Sequence, residues 1–220
     1  MIDASRVKIS GDDLLRVEDL SRRERDELFR ALTDQGIWLE VVPGRSGVTV
    51  QFDSTHMFPD VAREKFASVR CSAGPGVEAD CSPLDLPVAY GGVHGPDLSA
   101  VCHALELSEG QLIRRHTEMV HRVDFLGFTP GFSYLYTEDD TGLDVPRLGS
   151  PRQRVEAGSI GVVGSTTGLY ALAGPGGWPI IGRTPTRIFD AASQPPSRLK
   201  PGSAIRFRAI SETELDELNK

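Results

Sequence analysis

Between residues 122 and 185 a glycine or proline recurs every few positions, and this punctuation limits what the chain can become. The apolar pieces left between the breaks are short: 122–125, 159–163, 169–172 and 179–181. Helices tolerate such breaks poorly, whereas short strands joined by tight turns require them. Many of these glycines are expected where the backbone takes a positive φ or makes a close approach. Polar side chains run through the same stretch: Arg152, Arg154, Thr166, Thr167, Tyr170, Trp178, Arg183 and Thr184. A small β-barrel with polar groups at its mouth accounts for the pattern. A compact β-domain with no site at all would also need the turns.

The preceding part of the chain reads differently. Residues 6–10 and 13–18 read as strands around a Gly-Asp-Asp turn. Ser21 with Glu24 three residues on has the spacing of a capping box, Leu28, Phe29 and Leu32 form an apolar stripe, and Gly36 is a stop. Strands follow at 38–42 and at 48–52, where Val48, Val50 and Phe52 alternate with polar residues, then a helix at 60–68 behind Pro59. This order is an α+β pattern. His56 lies in a loop-like stretch and reads as a solvated surface histidine without an acidic partner. Residues 72–83 are small and polar and read as a connection between two domains. Beyond it come a strand with Leu86, Val88 and Tyr90, a helix carrying Leu98, Val101 and Leu105, and a second helix from Ser108, with Gln111 as its capping partner, to about His116. His116 is thus expected at a helix end, where the dipole favours its charged form, as a cap or as a site residue. A strand at 202–210, with Ile205 and Phe207 alternating with charges, closes the domain, and an acidic tail helix follows. The expectation is two domains, α+β over 1–80 and a barrel over 84–220.

Composition removes several classes of function. A net charge of −7 argues against a nucleic-acid partner, which asks for a basic stripe. No apolar run approaches the ~20 residues needed to cross a bilayer, and the N-terminus has no apolar leader. Three cysteines, Cys71, Cys81 and Cys102, make neither a disulfide framework nor a metal-ligand spacing, so a reducing cytoplasm and no metal are expected. Nucleophile motifs are missing too: Gly164–Gly168 is not followed by the Lys-Ser/Thr of a P-loop, and there is no G-x-S-x-G or H-E-x-x-H. What remains is binding chemistry. Arg152, Arg154 and Arg183 could clamp a carboxylate or phosphate, each having a surface ion pair as its plainer reading. Thr166 and Thr167 could donate hydroxyls, turn amides around Gly164 and Gly168 could form an anion nest, Tyr134 and Tyr170 offer phenols, and Trp178 offers a flat wall.

The run Phe125-Leu126-Gly127-Phe128-Thr129-Pro130-Gly131-Phe132, then Tyr134-Leu135, resembles the signature of the allophanate hydrolase subunit 1 family, which includes the kinase inhibitor KipI and the B component of 5-oxoprolinase. The likeness extends through Pro151-Arg152, Arg154-Val155, Ala157-Gly158-Ser159, Thr167-Gly168, Tyr170, Pro175-Gly176-Gly177-Trp178 and Ile181-Gly182-Arg183-Thr184-Pro185. Upstream, Tyr90-Gly91-Gly92, Gly95-Pro96-Asp97-Leu98 and His116 also fit. The resemblance implies an N-terminal α+β domain and a cyclophilin-like barrel. It implies a partner of the allophanate hydrolase subunit 2 type, the C component of a 5-oxoprolinase, and with a third subunit the ATP-dependent opening of 5-oxoproline to glutamate. Related pairs form the carboxyltransferase part of urea carboxylase, so biotin enters if the complex transfers carboxyl groups. Two other readings stand beside this one, an inhibitor of a sensor histidine kinase and a structural partner whose groove has lost activity. In the enzyme reading His116, Tyr170 and Arg183 are the catalytic candidates, and Arg154, Gly164, Thr166, Thr167 and Trp178 the substrate-binding ones. The chain departs from the family pattern at Ser133, at Thr166 in place of glutamine, and at Gly174 in place of serine, the last two removing polar groups from the expected wall.

Overall fold

The computed structural model describes residues 2–70, 82–137 and 143–218. The expected connection at 72–83 falls almost wholly outside these residues, as do Cys71 and Cys81. The chain divides into two compact units, Met1–Glu78 and Ala79–Lys220, each with its own apolar core.

In the first unit, strands β1 (Lys8–Ser10), β2 (Leu14–Val17), β3 (Glu40–Pro43) and β4 (Val48–Gln51) form an antiparallel sheet in the order β1-β2-β4-β3. Alternation sets the buried face: Leu15, Val17, Val48 and Val50 are fully buried. Helix α1 (Arg22–Gln35) starts in the capping box of Ser21 and Glu24 and ends at Gly36, which takes φ 62°. Its Leu28 and Leu32 join the core with Phe66 of α2 (Pro59–Ala67). Arg25, also on α1, is fully buried; it pairs with Asp26 and donates to the carbonyls of Gly44 and Arg45, tying the helix to the β3–β4 turn. His56 is exposed, but it is not without an acidic partner: its Nδ1 lies 2.8 Å from Asp53.

The second unit is a closed seven-stranded barrel. In chain order its strands are β5 (Leu84–Tyr90), β6 (Val120–Leu126), β7 (Ser133–Thr137), β9 (Ser159–Val163), β10 (Thr166–Leu169), β12 (Ile180–Arg183) and β13 (Ala204–Ile210). Around the barrel the order is β10-β7-β6-β13-β5-β12-β9. Every pairing is antiparallel except β5 with β13, which run parallel and bring the unit's first and last strands together. Leu86, Val88, Val123, Leu135, Ile160, Val162, Ile205 and Phe207 belong to one buried cluster. Helices α3 (Leu98–Ala104) and α4 (Glu109–Glu118) add Leu98, Val101 and Leu112 to it, α4 opening in the capping box of Ser108 and Gln111. The short helix α5 (Glu212–Leu218) buries Leu215.

A second, smaller core lies on the other face of the barrel wall. Phe132, Tyr134, Tyr170, Val155 and Ile180 cluster there, with Trp178 edge-on to Phe132 at 6.0 Å and to Tyr134 at 5.8 Å. The two-stranded ladder of β8 (Arg152–Val155) and β11 (Gly174–Gly176) flanks it. Glycines make this layer possible. A Cβ on Gly168 would stand 2.8 Å from both Phe132 and Trp178, and one on Gly161 3.0 Å from Trp178 and 3.2 Å from Tyr170. Rings therefore lie directly against β9 and β10, and residues 159–162 are buried without the alternation of a one-faced strand. The strand expected at 169–172 is displaced: β10 ends at Leu169, because Tyr170 turns away to donate its backbone N–H to Ser159 and enter the aromatic layer.

Candidate functional site

The loop after β5, the β8 strand and the ends of β9 and β12 surround a pocket of about 180 Å³. Val93, His94 and Pro96 come from the loop, Arg152, Arg154, Val155 and Glu156 from β8 and the turn beyond it, Ser159 from β9, and Ile180 and Arg183 from β12. Pairing of β8 with β11 and of β12 with β9 brings together arginines that are 31 positions apart in the chain, Arg152 and Arg183.

Each arginine is held differently. Arg152 makes a two-pronged bond to Asp97, Nη1 to Oδ2 and Nη2 to Oδ1, both at 2.8 Å. Arg154 is exposed and pairs with Glu156 through Nε at 2.7 Å, and this contact holds the Glu156 carboxyl below its ordinary pKa. Such an exposed pair is readily exchanged for a better partner. Arg183 is half-buried, and its Nε donates to the Ala157 carbonyl at 2.9 Å. Its terminal nitrogens have no hydrogen-bond partner among the described residues. Gly158, at φ 84°, lets the Ala157 turn come this close; a Cβ there would sit 2.1 Å from the Thr184 oxygen. Arg152 is thus paired with Asp97 and Arg154 with Glu156, and the guanidinium left without an ion pair among the described residues is the Nε-anchored fork of Arg183. His94 stands at the edge, with Nε2 3.6 Å from Glu212 Oε1 and without a hydrogen bond. The pocket can therefore take a small anion with a planar oxygen pair.

The eight residues expected at the site occupy four places. Arg154 and Arg183 line the pocket. Tyr170 and Trp178 do not: both are buried in the aromatic layer, which shares Val155 and Ile180 with the pocket wall. Burial raises the Tyr170 phenol's pKa, and its oxygen accepts the backbone N–H of Trp178, so Tyr170 supports the wall from behind. His116 and Thr167 meet elsewhere, in the buried interior of the second unit, with Nε2 3.4 Å from Oγ1. Gly164 and Thr166 lie at the β9–β10 turn, outside the pocket.

Two expectations about these residues need correction. His116 is not held charged by its helix end. It is 1% exposed, stacked on Phe207 at 4.6 Å and beside His121, and burial, then His121, drives its pKa well down. Desolvation outweighs a fraction of a helix-dipole charge. The Tyr90 phenol, kept protonated by burial, lies 2.7 Å from His116 Nδ1, and the ring's Nε2 faces Thr167. The anion nest at Gly164 is also absent, because its N–H is spent on the Val145 carbonyl at 2.8 Å. Neither Thr166 nor Gly174 lines the pocket, so the two departures from the family pattern leave its lining untouched.

His94, Glu156, Ser159 and Asp97 escaped the sequence reading as site residues. The only signal for Asp97 was its place in the Gly95-Pro96-Asp97-Leu98 motif. Among the described residues no group of three or more His, Cys, Asp or Glu side chains is placed to hold a metal ion, and no helix is long and apolar enough to cross a membrane.

Residues 6–199 match the family described as carboxyltransferase domain, subdomain C and D. A protein of Escherichia coli O157:H7, named as the B component of 5-oxoprolinase, is 38% identical over 180 residues, covering 82% of either chain. Its namesake in Bacillus subtilis (strain 168) is 34% identical over 80% of this chain and 78% of its own. Among solved structures, an uncharacterised Pyrococcus horikoshii protein, PH0987, superimposes with a TM-score of 0.59 at 34% identity, covering 95% of this chain and 99% of its own. The urea amidolyase of K. lactis superimposes with a TM-score of 0.74 at 17% identity, over 99% of this chain and 16% of its own, and shares the fold.

Proposed function

The chain belongs to the family of carboxyltransferase domains of subdomain C and D type, alongside the B components of 5-oxoprolinases, and from this we propose that it is a non-autonomous subunit of an ATP-dependent 5-oxoprolinase. The observation that carries the reading is 38% identity over 82% of both chains to a protein of that name. The pocket gives the reading its chemistry. 5-Oxoproline is a small ring with one carboxylate and an uncharged lactam, and the pocket offers one surplus guanidinium, on Arg183. Arg183 takes the carboxylate through its two free terminal nitrogens, and Arg154 leaves Glu156 to add a second contact. His94 and Ser159 then face the remainder of the ring. Opening it adds water across the lactam C–N bond, the nitrogen taking a proton and the carbonyl carbon becoming the new carboxylate, with ATP cleavage driving the step. This chain's part is to bind and orient the acid.

ATP is assigned to another surface of the complex. A triphosphate carries several negative charges against one surplus cation, and 180 Å³ falls below the roughly 300–1,000 Å³ of ordinary small-molecule pockets. Biotin, too, is assigned outside the pocket that the acid occupies. Both groups, where the complex uses them, belong to other surfaces, so a second subunit of the 5-oxoprolinase C type, with a third, completes the enzyme. The cytoplasm, with its ATP, is the compartment this reading requires. The test is Arg183→Ala in the reconstituted complex: turnover of 5-oxoproline at subsaturating concentration should fall at least about tenfold, the loss of one charge-assisted contact. Unchanged turnover in an intact complex removes the pocket from the reaction.

A further inference from the structure

We infer that Asp97 is a positioning residue of this pocket, holding Arg152 and the β12 edge in the arrangement that lets Arg183 receive the ligand's carboxylate. The inference rests on the reading of the pocket as the acid-binding site. Asp97 occupies the position before α3 where an aspartate ordinarily accepts N–H groups from the first helical turn, yet its side chain makes no cap bond. Its carboxylate is turned instead towards two walls of the pocket. It accepts both Arg152 terminal nitrogens at 2.8 Å and the Ile180 backbone N–H at 2.6 Å. The Asp97 N–H donates in turn to the Ile180 carbonyl at 2.9 Å, so strand and loop are clasped in both directions. These side-chain contacts join residues 55 and 83 positions apart in the chain. The carboxylate is largely buried, with 13% of the side chain exposed, so the bonds are poorly screened. Asp97 itself is not part of the lining, whereas Arg152, Ile180 and Arg183 all are.

Two consequences follow from this geometry. The fork uses two of the five N–H groups of Arg152 and neutralises its charge, leaving Arg183 as the surplus cation. The clasp on Ile180 also fixes the strand on which Arg183 lies three residues further on. The amide N–H₂ of an asparagine at 97 must face Arg152 in either orientation, and in one of them the Ile180 N–H as well, donor against donor, so at least one bond of the clasp is lost.

The experiment measures KM for 5-oxoproline and kcat in the reconstituted complex carrying Asp97→Asn, with melting and assembly followed alongside. A pocket that holds only the carboxylate, equally in ground and transition state, predicts a KM at least about tenfold higher with kcat within about twofold of the parent. A KM within about twofold of the parent, or a fall in kcat at unchanged KM, overturns the inference. Should Asp97→Asn fail to assemble, Arg152→Lys decides: it keeps the charge, loses the two-pronged bond, and should raise KM at least about fivefold, an unchanged KM again being the contrary result. If Arg183→Ala leaves KM unchanged, the acid-binding reading itself fails; if it raises KM while Asp97→Asn and Arg152→Lys do not, only the positioning role is lost.

Discussion

Gly168 has no side chain because two aromatic rings occupy the space one would need. A Cβ there would stand 2.8 Å from ring atoms of Phe132 and Trp178, both buried. Gly168→Ala therefore overpacks the outer layer, and a loss of about 1–3 kcal/mol is expected, read as a lowered midpoint in a urea melt. A midpoint within the error of the parent's would mean the rings relax at little cost. The sequence marked Gly168 for its backbone amide and Tyr170 and Trp178 for ligand contact. All three proved to be parts of a packing arrangement, because a phenol or indole beside glycines reads the same whether a ring covers a strand or a ligand. Arg154 and Arg183 were legible for the opposite reason: charged groups near turns stay near the surface, and strand pairing gathered them. Asp97 was not legible as a site residue, since its partners lie 55 and 83 positions away.

At the scale of elements, the two capping boxes, at Ser21 and Ser108, set helix starts that are local and therefore readable. Strands without apolar alternation were not: β8 (Arg-Gln-Arg-Val) and β11 (Gly-Pro-Gly) carry no strand pattern and exist because they pair with each other over the aromatic layer. The end of α4 carries a pH dependence of its own. His116 packs on Phe207 of β13 and beside His121 of β6, and burial lowers the pKa of both histidines in the folded chain. The unfolded chain takes up protons as pH falls through about 6.5, while the folded chain resists. Stability is thus fully present above that value and declines below it, by up to about 3 kcal/mol per pH unit while both rings differ in protonation. Urea midpoints at pH 7.5, 6.5 and 5.5 should fall in that order, whereas a flat profile would mean the rings accept protons in place.

For the whole molecule, the α+β class and a barrel in the back half were visible in the change from periodic apolar patterns to glycine-punctuated ones. The closing strand at 202–210 was legible as well, but not its pairing in parallel with β5 at the other end of the unit, a contact with no local signature. The barrel gathers a pocket with one unpaired guanidinium and, among the described residues, no metal cluster, which suits a subunit that binds an acid for a larger enzyme. The most direct measurement is glutamate release from 5-oxoproline and ATP by the reconstituted complex, assembled with and without this chain. The account predicts product only when the chain is present. An equal rate of glutamate formation in its absence would contradict it.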